Sequence, residues 1–149
     1  MTIYVGGGNT KCMLAVWRVW GIPEILREAW RRGVVLTGVS AGAICWFKVG
    51  VTDSWAGRLA ALPCLGLLPG TGCPHYDGEA ERRPAYHALV QTGEIKPGYA
   101  IEDAVAAHFR NGRLERVVAK RSGAKAYYVS ADGRAIRETP LDVTLLQKK

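Results

Sequence analysis

Residues 33–44, GVVLTGVSAGAI, restrict the possible fold more than any other segment of the chain. The apolar run at residues 34–37 is typical of a strand buried in a parallel sheet. Ser40 follows it among small residues, as at a sharp turn from a strand into a helix. On such a turn the serine hydroxyl is exposed at the carboxyl end of the sheet. Alternatively, Ser40 only caps the helix that follows.

Strands and helices alternate through the first half of the chain. A predicted strand at residues 2–5 stops at the glycines of residues 6–8. Two helices follow, one between residues 9 and 21 and the other between residues 23 and 33. Residues 41–47 can form a third helix. This order predicts an α/β fold with a parallel sheet and right-handed crossovers.

The second half of the chain has a different pattern. Residues 79–92 read as a helix, and short strands follow from residue 99 onward. Asn111-Gly112 and Asp132-Gly133 are strong signals for hairpin turns. Residues 114–120 and 125–130 are therefore predicted to be antiparallel strands.

Composition excludes several classes of protein. The chain has 149 residues and no linker, so we expect a single domain over residues 1–149. The net charge is +7, but the basic residues are dispersed, which argues against a nucleic-acid partner. No apolar run approaches the roughly 20 residues that a membrane span needs. The first residues do not resemble a signal peptide, so we expect a cytoplasmic protein.

The cysteine pattern suggests neither disulfides nor a metal site. No CxxC pair occurs, and no cluster of histidine and cysteine has the spacing of a zinc site. A cytoplasmic protein keeps its thiols reduced. We therefore expect four free and mostly buried cysteines, and neither a metal nor an organic cofactor. The four are Cys12, Cys45, Cys64 and Cys73.

Two further segments could act together with Ser40. The glycines of residues 6–8 could cradle a phosphate, although the P-loop ending and the G-x-G-x-x-G spacing are both absent. They could instead place backbone N–H groups beside a nucleophile. His75 follows a proline in the loop GCPHYD and is a candidate general base, or an exposed loop histidine. His87 and His108 are assigned to packing or to the surface.

Four segments in order, IYVGGGNT, GVSAGA, GLLPGTGCPHYD and GYAIEDAVAAHF, resemble the peptidase E family of serine peptidases. The resemblance implies a flavodoxin-like fold related to class I glutamine amidotransferases, to which the turn signals described above add antiparallel hairpins near the carboxyl end. It implies hydrolysis of a peptide bond near the amino terminus of short peptides. Ser40 would be the nucleophile and His75 the base. The oxyanion hole would comprise Gly7 or Gly8 and the N–H of Ala41.

The third member of a catalytic triad falls on one of two adjacent carboxylates. Within the resemblance, Asp103 matches better by its spacing to Ala106-Ala107, and Glu102 is the alternative. Neighbouring side chains in an extended segment point to opposite sides. Only one of these two carboxylates can therefore point toward His75.

Four residues are candidates for substrate binding. Asp53 lies where the resemblance puts a functionally important aspartate, and it either binds the substrate's α-amino group or terminates a turn. Arg82 or Arg83 could pair with a substrate carboxylate, or both are surface residues. Asn9, at the end of the glycine-rich loop, is the fourth candidate.

Members of the family carry further strand–helix units before the glycine-rich loop. The resemblance therefore begins part-way along the family's usual series of strands and helices. The strand at residues 2–5 is then expected to lie at an exposed sheet edge, beside helices that carry Trp17, Trp20 and Trp30. A homodimer could cover this surface. Two alternatives to a peptidase remain open at this point: an inactive fragment that serves as an interaction module, and a phosphate or nucleotide binder at residues 6–8.

Overall fold

The computed structural model describes residues 1–55, 58–133 and 135–147. In chain order, the helices are α1 (Thr10–Val19), α2 (Ile22–Arg31), α3 (Ala41–Ile44) and α4 (Arg82–Gln91). The strands are β1 (Thr2–Val5), β2 (Val35–Gly38), β3 (Phe47–Trp55), β4 (Arg58–Pro63), β5 (Leu68–Cys73), β6 (Gly98–Ile101), β7 (Val105–Arg110), β8 (Arg113–Ala119), β9 (Ala126–Asp132), β10 (Ala135–Pro140) and β11 (Val143–Leu145).

Strands β1 and β2 form a two-stranded parallel sheet, in which Thr2 pairs with Val35 and Val5 with Gly38. The predicted parallel strand is confirmed, but its predicted burial is not, because Val35 is exposed. Alternate side chains point to opposite faces of a strand. The inward set of Ile3, Val5 and Leu36 packs against a cluster that includes Leu14 and Leu26.

The largest sheet is mixed and has the strand order β10-β9-β6-β5-β3-β4. Its centre, β3-β5-β6, is parallel, whereas β4, β9 and β10 each pair antiparallel with a neighbour. A third sheet has the order β11-β8-β7. The predicted α/β class is confirmed with mixed sheets, and the flavodoxin-like arrangement stays a prediction.

The segment after Ser40 differs from its predicted structure. The helix predicted over residues 41–47 ends at Ile44, and Phe47 begins β3. Residues of the strand are rich in β-branched and aromatic side chains, which fit a pleated surface better than a helix. Strand β3 also pairs with both β4 and β5, and this tertiary pairing outweighs the short helical pattern in the sequence.

The hairpin signals in the second half are confirmed. Asn111 and Gly112 both have positive φ, as a two-residue turn between β7 and β8 requires. Asp132 and Gly133 lead from β9 into β10. The two strands predicted between these turns are β8 and β9. They belong to different sheets and do not pair with each other.

This topology brings three loops to one edge. Ser40 follows β2, His75 follows β5, and Asp103 follows β6, so each comes directly after the carboxyl end of a parallel strand. Ligands of open α/β sheets bind outside this end of the strands. Among the described residues, no helix combines the length and the apolar character that crossing a membrane requires.

Apolar side chains are exposed on α1, α2 and the outer face of β1. Val19 and Trp20 at the end of α1 are 82% and 71% exposed, and Tyr4, Val16, Ile25 and Trp30 are exposed as well. Trp17 was expected there too, but it is partly buried and its ring centroid lies 6.4 Å from that of Trp46. An apolar surface of this kind is uncommon on a soluble monomer.

We therefore predict that the chain self-associates through this surface, most simply as a homodimer. Light scattering at micromolar concentration should report about twice the monomer mass. Trp20→Lys should shift the population to monomer, because a charge is costly to bury in an apolar contact. Leu146→Lys, at an exposed apolar residue near the carboxyl end, is the matched control and should leave the mass unchanged. A monodisperse monomer of the unaltered chain would contradict the prediction.

Candidate active site

The backbone at Ser40 makes the sharp turn that its sequence predicts. Ser40 has φ 54° and ψ −115°, a region that residues other than glycine rarely occupy. Gly38 and Gly42 lie so close to the carbonyl oxygen of Val5 that a Cβ atom at either position would overlap it. The Ser40 side chain makes no capping hydrogen bond to α3. Helix capping therefore does not explain why a serine stands here.

The Ser40 hydroxyl instead faces His75. The distance from Ser40 Oγ to His75 Nε2 is 2.9 Å, and the distance from His75 Nδ1 to Asp103 Oδ1 is 2.7 Å. With neutral imidazole, Nδ1–H donates to the carboxylate and Nε2 accepts the hydroxyl proton. The side chain of His75 is 29% exposed and that of Asp103 52%. The three residues form a continuous hydrogen-bonded chain at the edge of the sheets.

The two adjacent carboxylates point in different directions. Glu102 Oε2 accepts a hydrogen bond of 2.7 Å from the backbone N–H of Lys125. The N–H of Glu102 donates to the carbonyl oxygen of the same lysine. Glu102 thus fastens the loop before β9, while Asp103 reaches His75, as expected for neighbours in an extended segment.

Two of the predicted oxyanion-hole residues, Gly7 and Ala41, lie next to Ser40. A Cβ atom built on Gly7 would lie 3.5 Å from Ser40 Cβ, so the glycine-rich loop packs against the serine. Gly8 has φ 145°, which favours glycine. Ala41 is buried at the first position of α3, where a backbone N–H has no partner within the helix. The role of these N–H groups stays a prediction.

Asn9 holds the glycine-rich loop to β3. Its Oδ1 accepts a hydrogen bond of 2.9 Å from the N–H of Cys12 and so caps α1. Its Nδ2 donates to the carbonyl oxygen of Ser54 at 3.1 Å. Both ends of the amide are therefore used within the protein, and contact with a substrate stays a prediction.

Asp53 and Arg82 differ sharply in exposure. Asp53 is exposed on β3, whereas the side chain of Arg82 is only 3% exposed. Arg82 donates to Glu79 at 2.8 Å and to the carbonyl oxygen of Val51 at 3.2 Å, and its Nη2 lies 3.9 Å from Asp53 Oδ1. The interpretation of Arg82 as a surface residue is wrong. It is a buried cation beside an exposed carboxylate.

Arg83 belongs to a separate cluster behind the His75 loop. It forms an ion pair with Glu138 and lies over the ring of Tyr76, 5.2 Å from the centroid. The Tyr76 hydroxyl also donates to Glu138, and His87 Nε2 lies 2.7 Å from Glu138 Oε1. Substrate binding by Arg83 stays a prediction. His87 is partly buried here, as its assignment to packing implies, while His108 pairs with Glu115 at the surface.

A comparison of the sequence with known families identifies its relatives. A sequence model of peptidase family S51 matches residues 1–117, which include Ser40, His75 and Asp103. The chain belongs to peptidase family S51. This membership agrees with the resemblance found in the four sequence segments.

Two curated relatives of this S51 chain carry peptidase names. The uncharacterized peptidase YgaJ of Bacillus subtilis (strain 168) is 56% identical over 144 residues, which cover 97% of this chain and 62% of the relative. Peptidase E of Haemophilus influenzae is 30% identical over 138 residues, which cover 85% of this chain and 60% of the relative. The chain therefore spans about three-fifths of the length of these relatives.

The Glu138 cluster supports the histidine loop of this S51 chain. Burial alone would raise the pKa of Glu138, but hydrogen bonds from Arg83, Tyr76 and His87 lower it to about 2. Tyr76 directly follows His75, so the cluster anchors the loop that carries the imidazole. Sequence reasoning missed Glu138, because it is 62 residues from Tyr76 and has no local motif.

The lowered pKa of Glu138 predicts a pH-dependent loss of stability. The pKa of Glu138 falls from its ordinary value of 4.5 to about 2, which corresponds to on the order of 3 kcal/mol in the free energy of unfolding. This contribution is complete above pH 4.5 and disappears as pH falls toward 2. Glu138→Gln should lower the free energy of unfolding in urea at pH 7 and have little effect at pH 2. Glu28→Gln, in an exposed pair with Arg32, is the control and should matter little at either pH. An effect of Glu138→Gln that did not vary with pH would contradict the assignment.

Proposed function

We propose that this S51 chain is a serine peptidase that hydrolyses short peptides near their amino terminus. The hydrogen-bonded chain from Ser40 through His75 to Asp103 carries the proposal. Its order and its contacts match those of a nucleophile, a general base and an orienting carboxylate. The strained backbone at Ser40 is a second argument, since strain of this kind concentrates at functional sites.

In this mechanism, Ser40 Oγ attacks the carbonyl carbon of the scissile bond while His75 Nε2 takes the hydroxyl proton. Asp103 accepts the Nδ1–H bond and stabilises the imidazolium that forms. The N–H groups of Ala41 and of Gly7 or Gly8 bind the oxyanion. His75 then gives the proton to the leaving amine, and water hydrolyses the resulting ester of Ser40 by the same proton route.

Asp53 is proposed to bind the α-amino group of the substrate. Its neighbour Ser54 is hydrogen-bonded to Asn9 of the glycine-rich loop, and Gly7 of that loop packs against Ser40. We propose that a substrate amine held at Asp53 places a bond near the amino terminus within reach of the nucleophile. Buried Arg82 would hold the Asp53 carboxylate in place. The relative named Peptidase E is consistent with a peptide as the substrate.

The first test is modification with a serine-reactive fluorophosphonate. Incubation of the folded chain, followed by peptide mass mapping, should find the adduct on Ser40 alone. The heat-denatured chain is the control and should not react, because the nucleophile is activated only in the folded site. A folded chain with no adduct at Ser40 would overturn the proposal.

A second candidate function is an interaction module without activity. The exposed apolar surface of α1 and α2 favours it, because such surfaces commonly mark contacts between proteins. The two functions predict opposite outcomes of the labelling experiment. In either case, we propose a cytoplasmic location, which agrees with the free thiols of all four cysteines.

A further inference from the structure

Asp77 and Arg121 bracket the backbone of Asp103. Asp77 Oδ1 accepts a hydrogen bond of 2.8 Å from the N–H of Asp103. Its other oxygen, Oδ2, accepts from Arg121 Nη2 at 2.5 Å. The same Nη2 donates to the carbonyl oxygen of Asp103 at 3.2 Å. Asp103 is thus held through both its N–H and its carbonyl group by one ion pair.

The same loop also confines the side chain of Asp103. A Cβ atom on Gly78 would overlap Asp103 Oδ2, so the carboxylate fills the space that the glycine leaves open. The N–H of Gly78 donates to the carbonyl oxygen of His75 at 3.3 Å. One carboxylate oxygen therefore lies against Gly78 while the other faces His75 Nδ1.

This arrangement counters two features that would otherwise loosen the carboxylate. The side chain of Asp103 is half exposed, and the next residue, Ala104, has φ 66°, a strained conformation for alanine. Burial alone would raise the pKa of Asp77, but the N–H of Asp103 and the guanidinium of Arg121 lower it. Asp77 therefore stays charged at neutral pH and keeps both contacts.

We propose that Asp77 and Arg121 are positioning residues that align Asp103 with His75. Asp77 lies two residues after His75, so it fastens the loop of the base directly to the loop of the acid. The catalytic part of this inference rests on the proposed function, whereas its structural part, the alignment of Asp103 with His75, does not. Without the pair, Asp103 no longer orients the imidazole or stabilises its charged form.

The structural consequence is measurable without any substrate. The chain has three histidines, so NMR can follow the Nδ1–H resonance of His75. In Asp77→Ala, we expect this resonance to broaden or disappear, because Nδ1–H loses its fixed acceptor. Asp77→Asn should have a smaller effect, because the amide oxygen still accepts the N–H of Asp103. Glu28→Gln removes an exposed carboxylate–arginine pair of similar length on α2 and should leave the resonance unchanged.

The catalytic consequence is a slower reaction of Ser40 with the fluorophosphonate. Misplacing an orienting group by about 1 Å can cost on the order of 100-fold, and we expect a loss of this size in Asp77→Ala. With a peptide substrate, the loss should appear in kcat while KM stays nearly constant. Arg121→Met tests the same pair from an exposed position, where a failure to fold is not expected. It should weaken the Nδ1–H resonance of His75 in the same way.

The outcomes separate the two proposals. If the His75 resonance changes as expected while the unaltered chain gives no adduct at Ser40, the peptidase proposal fails and the positioning role stands. If the unaltered chain reacts at Ser40, and both Asp77→Ala and Arg121→Met leave the Nδ1–H resonance of His75 and the labelling rate unchanged, the positioning role is overturned.

Discussion

Ser40→Ala is expected to abolish peptide hydrolysis while leaving the fold intact. In a Ser-His-Asp protease, loss of the nucleophile lowers kcat on the order of 10⁶-fold, and the only activity left comes from substrate binding and oxyanion stabilisation. The fold should persist because the Ser40 side chain caps no helix and its hydroxyl bonds only to His75 among the described contacts. Alanine, like serine, is strained at φ 54°, so any change in stability should be small.

The measurement is turnover of a panel of dipeptides, with circular dichroism as the check on folding. Ser130→Ala, on β9, is the matched control and should retain full turnover. Retention of wild-type turnover by Ser40→Ala would show that the serine at the turn is not the nucleophile. A variant that lost both turnover and its dichroism spectrum would point to a structural role instead.

The turn at Ser40 could be predicted from sequence because its causes are local. The backbone of β2 and α3 approaches Val5 so closely that only glycine fits at residues 38 and 42, and these glycines are visible in the sequence. The hairpin turn at Asn111-Gly112 was predictable for the same reason, since its positive φ angles favour these residue types. Local conformation selects the residue directly in both cases.

Features that depend on distant partners could not be predicted in this way. Residues 41–47 were expected to be helical throughout. Phe47 instead begins β3, because this strand pairs with β4 and β5. The burial of Arg82 depends on the carbonyl group of Val51, 31 residues earlier in the chain. Nothing in the sequence around Arg82 distinguishes it from Arg83, which is half exposed. The sequence alone therefore does not indicate which of these two arginines is buried.

Glu102 and Asp103 show how distant partners set the direction in which two adjacent carboxylates point. The sequence left both carboxylates as candidates and predicted that only one could face His75. In the structure, Glu102 is bound to the backbone of Lys125, while Asp103 is 2.7 Å from His75 Nδ1. The decisive partner, Lys125, lies 23 residues after Glu102 in the chain.

Asp103→Asn is therefore expected to be the more damaging of two matched substitutions. An amide at this position fits beside Gly78, but its NH2 group can hold the imidazole in the wrong tautomer and cannot stabilise the imidazolium. The corresponding change in a Ser-His-Asp protease lowers kcat about 10⁴-fold, and we expect a loss of that order here. Glu102→Gln should cost little, because its amide oxygen can still accept the N–H of Lys125. Turnover of the same dipeptide panel measures both variants, and a crippled Glu102→Gln beside an active Asp103→Asn would exchange the two roles.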